Sequence, residues 1–202
     1  MDKQIYGICG FKGHGKDTLA RLVVSKDQDF KIVHFADSLK NICKAVFSLS
    51  NYHVHDPEGK EQAFIFPIFM DDGLEAMRSL TLLDLKPVGK VAHNAREVLQ
   101  YAGTEYVRKA APNYWIDRLV TDIKDYEKVL VPDARFPNEA EAIHGLGGKI
   151  IRVHRTDLPD SGDLHASERG ILGIKADIEL LTTTGDFATM EKLAESIAGG
   201  SL

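Results

Sequence analysis

Residues 10–18 read GFKGHGKDT and follow directly on the apolar run Ile5–Cys9. Three glycines, Gly10, Gly13 and Gly15, let the backbone curl and turn its N–H groups toward an anion. Lys16 adds a point charge, and the helical pattern after it adds the positive end of a helix. The arrangement predicts a cradle for nucleotide phosphates, with Lys12, Gly13, His14, Gly15, Lys16, Asp17 and Thr18 around ATP. The strict motif, G-x-x-x-x-G-K-[ST], is broken once. Asp17 stands where a magnesium-binding hydroxyl is expected, and Thr18 follows. A carboxylate beside a triphosphate is repelled unless a cation stands between them. Asp17 is therefore expected to hold Mg²⁺, directly or through water. The plainer reading is a glycine-rich helix start with an exposed lysine; strand, glycines and lysine standing in register argue against it.

A second constellation is VLVPDARFPNE, residues 129–139. Asp133 comes at the carboxyl end of an apolar strand pattern, where open α/β sheets place their ligand crevices. A carboxylate there is expected to be the second anchor of a Mg²⁺ shell, so Asp17 and Asp133 form the metal pair. Arg135 is placed to stabilise charge on a transferring phosphoryl group. Pro137 suits the first turn of the next helix, with Glu139 near its positive end. The competing reading is a strand-to-helix turn in which Asp133 and Arg135 pair with each other.

The third is NAREVLQYAGT, residues 94–104. Asn94 reads as an N-cap with Glu97 reaching back. At α-helical spacing Ala95, Val98, Leu99 and Ala102 make the apolar face, and Arg96, Gln100, Gly103 and Thr104 share the other. An arginine fork takes a phosphate and an amide pairs with a base edge. A solvated helix face has the same composition, and the residues alone leave both readings open.

These residues need a scaffold, and 202 residues suffice for one sizeable domain or a domain with an insertion. Apolar runs at Ile5–Cys9, Ile32–Phe35, Val129–Pro132, Lys149–Val153 and Ile178–Leu181 predict five buried parallel strands. Helices are predicted over Asp17–Ser25, Asp37–Phe47, Gly73–Leu80, Asn94–Lys109, Tyr114–Asp125, Pro137–Gly145 and Phe187–Ala198. The gap between the second and third strands is far longer than a crossover. It predicts a core of residues 1–36 and 128–202 carrying a helical insertion over 37–127. Within the insertion, Asn51–Lys60 and Asp84–Lys90 read as surface loops. Ala63–Met70 (AFIFPIFM) reads as a buried segment kept irregular by Pro67, with an oligomer contact or a substrate wall as alternatives. His53 and His55 lack a third ligand nearby and read as solvated surface rather than a metal site. Arg155–Gly170, containing His165–Glu168, reads as a mobile cover or a plain surface loop, and Thr182–Asp186 falls where an adenine-contacting turn is expected.

Composition sets further bounds. A net charge of −5 with 27% charged residues disfavours a nucleic-acid polymer as partner, since such binding draws on many phosphate-neutralising cations. Two cysteines, Cys9 and Cys43, form no disulfide framework and agree with a reducing compartment. No signal peptide or membrane span is read, so a cytoplasmic location is expected.

With these motifs assembled, the chain resembles the deoxynucleoside monophosphate kinases of tailed bacteriophages. The resemblance runs through GHGKDT, FADSLK, REVLQYAGT, YWIDRL, VPDARFPNE, HASE and ADIELLTTTGD, nearly the whole chain. GKDT is usual in that family. It implies a three-layer P-loop kinase fold with a five-stranded parallel sheet and a helical acceptor-binding insertion. It also implies transfer of the ATP γ-phosphoryl to a deoxynucleoside monophosphate, with Mg²⁺, in the host cytoplasm. By the same resemblance Lys16, Asp17 and Thr18 belong to the ATP·Mg²⁺ site, and Asp133, Arg135 and Glu139 match the catalytic centre. Arg96, Gln100, Gly103, Thr104 and Trp115 line the acceptor site, which Glu139 also joins. Family members often carry serine where His14 stands. A homodimer is suggested. Rival expectations are a dephospho-coenzyme A kinase-like or broad nucleotide kinase, and a P-loop switch ATPase, although the guanine signature N-K-x-D is absent.

Overall fold

The computed structural model describes residues 3–158 and 166–202. Residues 159–165 of the stretch expected as a cover lie outside the described residues. The chain folds as two compact units, residues 1–35 with 119–202, and residues 36–118.

The first unit is built on five strands: β1 (Gln4–Cys9), β2 (Lys31–Ile32), β5 (Lys128–Val131), β6 (Lys149–Arg155) and β7 (Ile178–Thr182). They lie in the order β2-β5-β1-β6-β7, every pairing parallel. The inner strands are buried on both faces and so read as unbroken apolar runs. Alternation assigns their sides. Tyr6 and Ile8 pack with Leu19, Val23, Met190 and Ile197 of α1 (Lys16–Lys26) and α10 (Phe187–Ala198). Gly7 points the other way, where a Cβ would lie 2.5 Å from Ile143 of α8 (Pro137–Gly145). Helices therefore cover both faces, giving the three-layer α/β architecture that the strand and helix patterns predict.

The second unit contains α2 (Ala36–Phe47), α3 (Asn51–His55), α4 (Pro57–Glu61), β3 (Ala63–Phe69), α5 (Leu74–Thr81), β4 (Val91–Asn94), α6 (Ala95–Gln100) and a π-helix over Tyr101–Arg108. The helix α7 (Tyr114–Asp122) carries the chain back to the first unit. The unit has its own core, with Cys43, Met77, Val98, Tyr106 and Trp115 among its buried residues. Asp71 ties it together, accepting from the Tyr106 hydroxyl and from the N–H groups of Val88 and Gly89.

Two expectations fail here. Residues 51–60 are helical, not loop. Ser50 caps α3 while His53 Nδ1 accepts the Ser50 N–H, and Asp56 caps α4 ahead of Pro57. Residues 63–69 form a strand antiparallel to β4, and most of it is exposed, with Ile65 90% and Phe66 82% accessible. Pro67 is tolerated because it lies where the register breaks, between Ala63 and Ile68. Among the described residues no helix is long and apolar enough to cross a membrane.

Candidate active site

Strand β1 delivers the chain into the cradle, and two glycines make the turn possible. Gly10 has φ +147°, and a Cβ there would lie 2.4 Å from the Val153 carbonyl oxygen. Gly15 has φ +94° and stands at the N-cap of α1, where a Cβ would meet Met190 Cε at 2.6 Å. Both the backbone conformation and the space require glycine. Gly15 has no side chain with which to cap α1, and a helix start of this kind suits an anion.

Lys16 is folded over the loop, donating to the carbonyls of Gly10 at 2.7 Å and Phe11 at 2.8 Å. Burial, and after it the Arg135 cation, lowers its pKa to about 8, while Asp17 and Asp133 act the other way. The four side chains thus share one electrostatic neighbourhood. His34 holds the Asp17 carboxyl below its usual range, with Nε2 3.8 Å from Oδ1. Asp133 Oδ1 accepts the Phe35 N–H at 2.9 Å, which fixes the carboxylate at the end of β5. Lys12 is exposed on the loop and Thr18 half-buried on α1.

Two predicted residues are turned to other duties. Glu139 is buried, and its Oε2 accepts the N–H groups of Arg135 at 2.8 Å and Phe136 at 3.1 Å. It caps α8 and shapes the turn that carries Arg135. His14 is buried as well, its Nδ1 accepting the Arg155 N–H at 3.1 Å, while its own N–H reaches the Phe11 carbonyl at 3.3 Å. Its ring joins the cradle to the end of β6.

Arg155 is the residue that sequence reasoning passed over. Its Nη1 donates to the Gly13 carbonyl at 3.3 Å, and Nη2 lies 3.4 Å from Asp157, which accepts from Thr184. Arg155 lines a cavity of about 120 Å³ together with Gly13, Gly15, Thr18, Thr183 and Phe187. The available signal was a cation at the carboxyl end of a buried strand.

In the second unit, Arg96 and Gln100 lie half-buried on α6, whose start Asn94 caps by accepting the Glu97 N–H at 3.0 Å. Thr104 follows half-buried on the π-helix, but Gly103 is buried, and a Cβ there would lie 2.8 Å from Leu39. The wider π turn breaks the single stripe expected from α-helical spacing. Trp115 is buried too, donating its indole N–H to the Gly103 carbonyl at 3.2 Å. These two support the helix rather than present a wall to solvent.

The donor set suits a magnesium ion shared with phosphate. Among the described residues no cluster of three or more His, Cys, Asp or Glu could hold a metal unaided. Mg²⁺ is commonly held by one or two carboxylates plus substrate phosphates, and Asp17 and Asp133, which both act on Lys16, offer carboxylates of that kind.

A glycine cradle at the end of the central strand, with a desolvated lysine in the field of an arginine, has the make-up of a phosphotransferase's phosphate site. The family model of deoxynucleotide monophosphate kinase matches residues 89–195, just over half of the chain. The chain belongs to the deoxynucleotide monophosphate kinase family. It is also similar to a protein of Acanthamoeba polyphaga mimivirus described provisionally as a deoxynucleotide monophosphate kinase. That relative is 28% identical over 193 residues, covering 88% of this chain and 87% of the other. Among solved structures it is loosely similar to TT1252 from Thermus thermophilus (TM-score 0.47, 14% identity, all of both chains). It is also loosely similar to dephospho-CoA kinase from Campylobacter jejuni (TM-score 0.46, 17% identity, all of both chains).

Proposed function

We propose that the protein transfers the γ-phosphoryl of ATP to a deoxynucleoside 5′-monophosphate, yielding the diphosphate and ADP. The observation that carries this reading is the glycine cradle at the end of β1, with Lys16 folded over it in the field of Asp17, Asp133 and Arg135. Lys16 and the N–H groups of α1 hold the donor phosphates, and Arg155 stands at the cavity offered to its nucleoside. Asp17 and Asp133 would hold Mg²⁺, which when bound neutralises phosphate charge.

A phosphate monoester reaches the site with its nucleophilic oxygen already ionised near neutral pH, so no strong general base is required. The work left to the protein is alignment and charge stabilisation. Arg135 serves the transferring group, and Glu139 sets Arg135 by holding its N–H. The acceptor falls to residues 36–118, with Arg96 taking its phosphate and Gln100 a base edge. Partners are then nucleotides rather than nucleic-acid polymers. The exposed, uncharged β3 supports a second copy of this chain as a further partner.

A coupled assay with ATP and Mg²⁺ over dAMP, dCMP, dGMP, dTMP, their ribonucleotide counterparts and dephospho-coenzyme A tests the reading. The expected result is ADP release that depends on a deoxynucleotide acceptor. Equal ADP release without any acceptor would overturn it.

A further inference from the structure

Arg96 is held by a residue that no motif marks. Its Nε donates to Glu61 Oε1 at 2.6 Å. Glu61 is the last residue of α4, which packs against α6. The contact therefore joins two elements 35 residues apart. Both ends of the strut are built in. Asp56 and Pro57 start α4, and the Asn94 cap starts α6 with Arg96 in its first turn.

The chemistry of the guanidinium decides what this contact does. Its five N–H donors offer two edges that take a pair of oxygens, one through Nε and one through the two terminal nitrogens. Glu61 engages Nε. Among the described residues the terminal nitrogens have no protein partner, and one third of the Arg96 side chain is exposed. A phosphate monoester arriving at that edge meets both donors without displacing the carboxylate. An arginine without the strut must instead be ordered from many rotamers each time substrate binds.

We infer that Glu61 is a positioning residue: it fixes Arg96 through Nε so that the terminal edge is displayed to the phosphate of the acceptor nucleotide. The inference rests on the reading of Arg96 as the acceptor-phosphate ligand. The opposing model makes Glu61 a competitor that phosphate must expel. The two differ in sign. Deleting a strut weakens acceptor binding, whereas deleting a competitor strengthens it.

The test measures the dissociation constant of the best acceptor among dAMP, dCMP, dGMP and dTMP by calorimetry without ATP, then KM for that acceptor and for ATP, on the full chain. Glu61→Ala is expected to weaken acceptor binding about fivefold, with the KM for ATP unmoved. Glu61→Gln keeps an oxygen that accepts from Nε and removes the charge, so it restores most of the lost affinity. Glu61→Asp keeps the charge but withdraws it by one methylene, and it falls with Glu61→Ala. Tighter binding in both Glu61→Ala and Glu61→Gln would establish the competitor and end the proposal. Normal affinity in Glu61→Asp would do the same, and this variant carries the test if Glu61→Ala does not fold. Arg96→Ala separates the two layers of the argument. If it leaves acceptor affinity unchanged, the reading of Arg96 fails. If it weakens binding while Glu61→Ala does not, only the role of Glu61 falls.

Discussion

The two arginines assigned to phosphate stand in opposite surroundings. Arg135 sits on a turn set by the backbone, its N–H held by Glu139, with a cationic neighbour in Lys16 that it helps to acidify. Arg96 sits on a helix face with a carboxylate bonded to its Nε, contributed by a separate helix. One is placed by short-range chain geometry, in a neighbourhood that holds the Lys16 ammonium and the carboxylates of Asp17 and Asp133. The other is placed by a side chain distant in sequence and already has its counter-charge. The first placement depends on a turn local in sequence, and the second on the packing of two separate helices.

Arg135→Ala should show the larger effect. Turnover is expected to fall about a thousandfold, as for a residue acting on the transferring group, with KM for ATP nearly unchanged in steady-state kinetics. Near-normal turnover would remove the contrast altogether.

Asp71→Ala probes the packing of the unit that carries Arg96. The Tyr106 hydroxyl, followed by the Val88 and Gly89 N–H groups, holds the Asp71 carboxyl below its usual range despite the opposing cost of burial. A depressed folded pKa stabilises above the ordinary carboxylate range, and the contribution is lost as pH falls through the folded value. The substitution should cost about 2 kcal/mol near neutral pH, as for loss of hydrogen bonds to a charged group. Urea melts of variant and parent should converge as pH falls below the ordinary carboxylate range. A gap that stays constant with pH would show that Asp71 acts through packing alone.

Phe66→Glu is expected to have the smallest effect on chemistry. Turnover should stay within about twofold, while sedimentation changes from a species of two copies to one as charge enters an apolar edge. A parent protein sedimenting as a single copy would refute the role of β3.

Legibility in the sequence followed the same division. Strand β1, the glycine turn and the position of Asp133 after β5 were readable because a buried parallel strand is a continuous apolar run. Asn94 was readable as a local cap, although Glu97 reaches back to the His93 N–H rather than to that of Asn94. The π-helix was not, since YAGTEYVR carries no breaker or cap. Missing it put Gly103 on the wrong side. Pro67 was read as a breaker, although an antiparallel strand tolerates it at a register shift. Glu61 was out of reach because its partner lies on a separate helix.

The sheet order has a consequence for biosynthesis. The central strand β1 is flanked by β5 and β6, so it leaves the ribosome with neither neighbour yet made. Translation of the intervening residues takes on the order of ten seconds, and all of 36–118 emerges in that interval. The nucleotide cradle, encoded first, is thus among the last features of the molecule to become structurally supported.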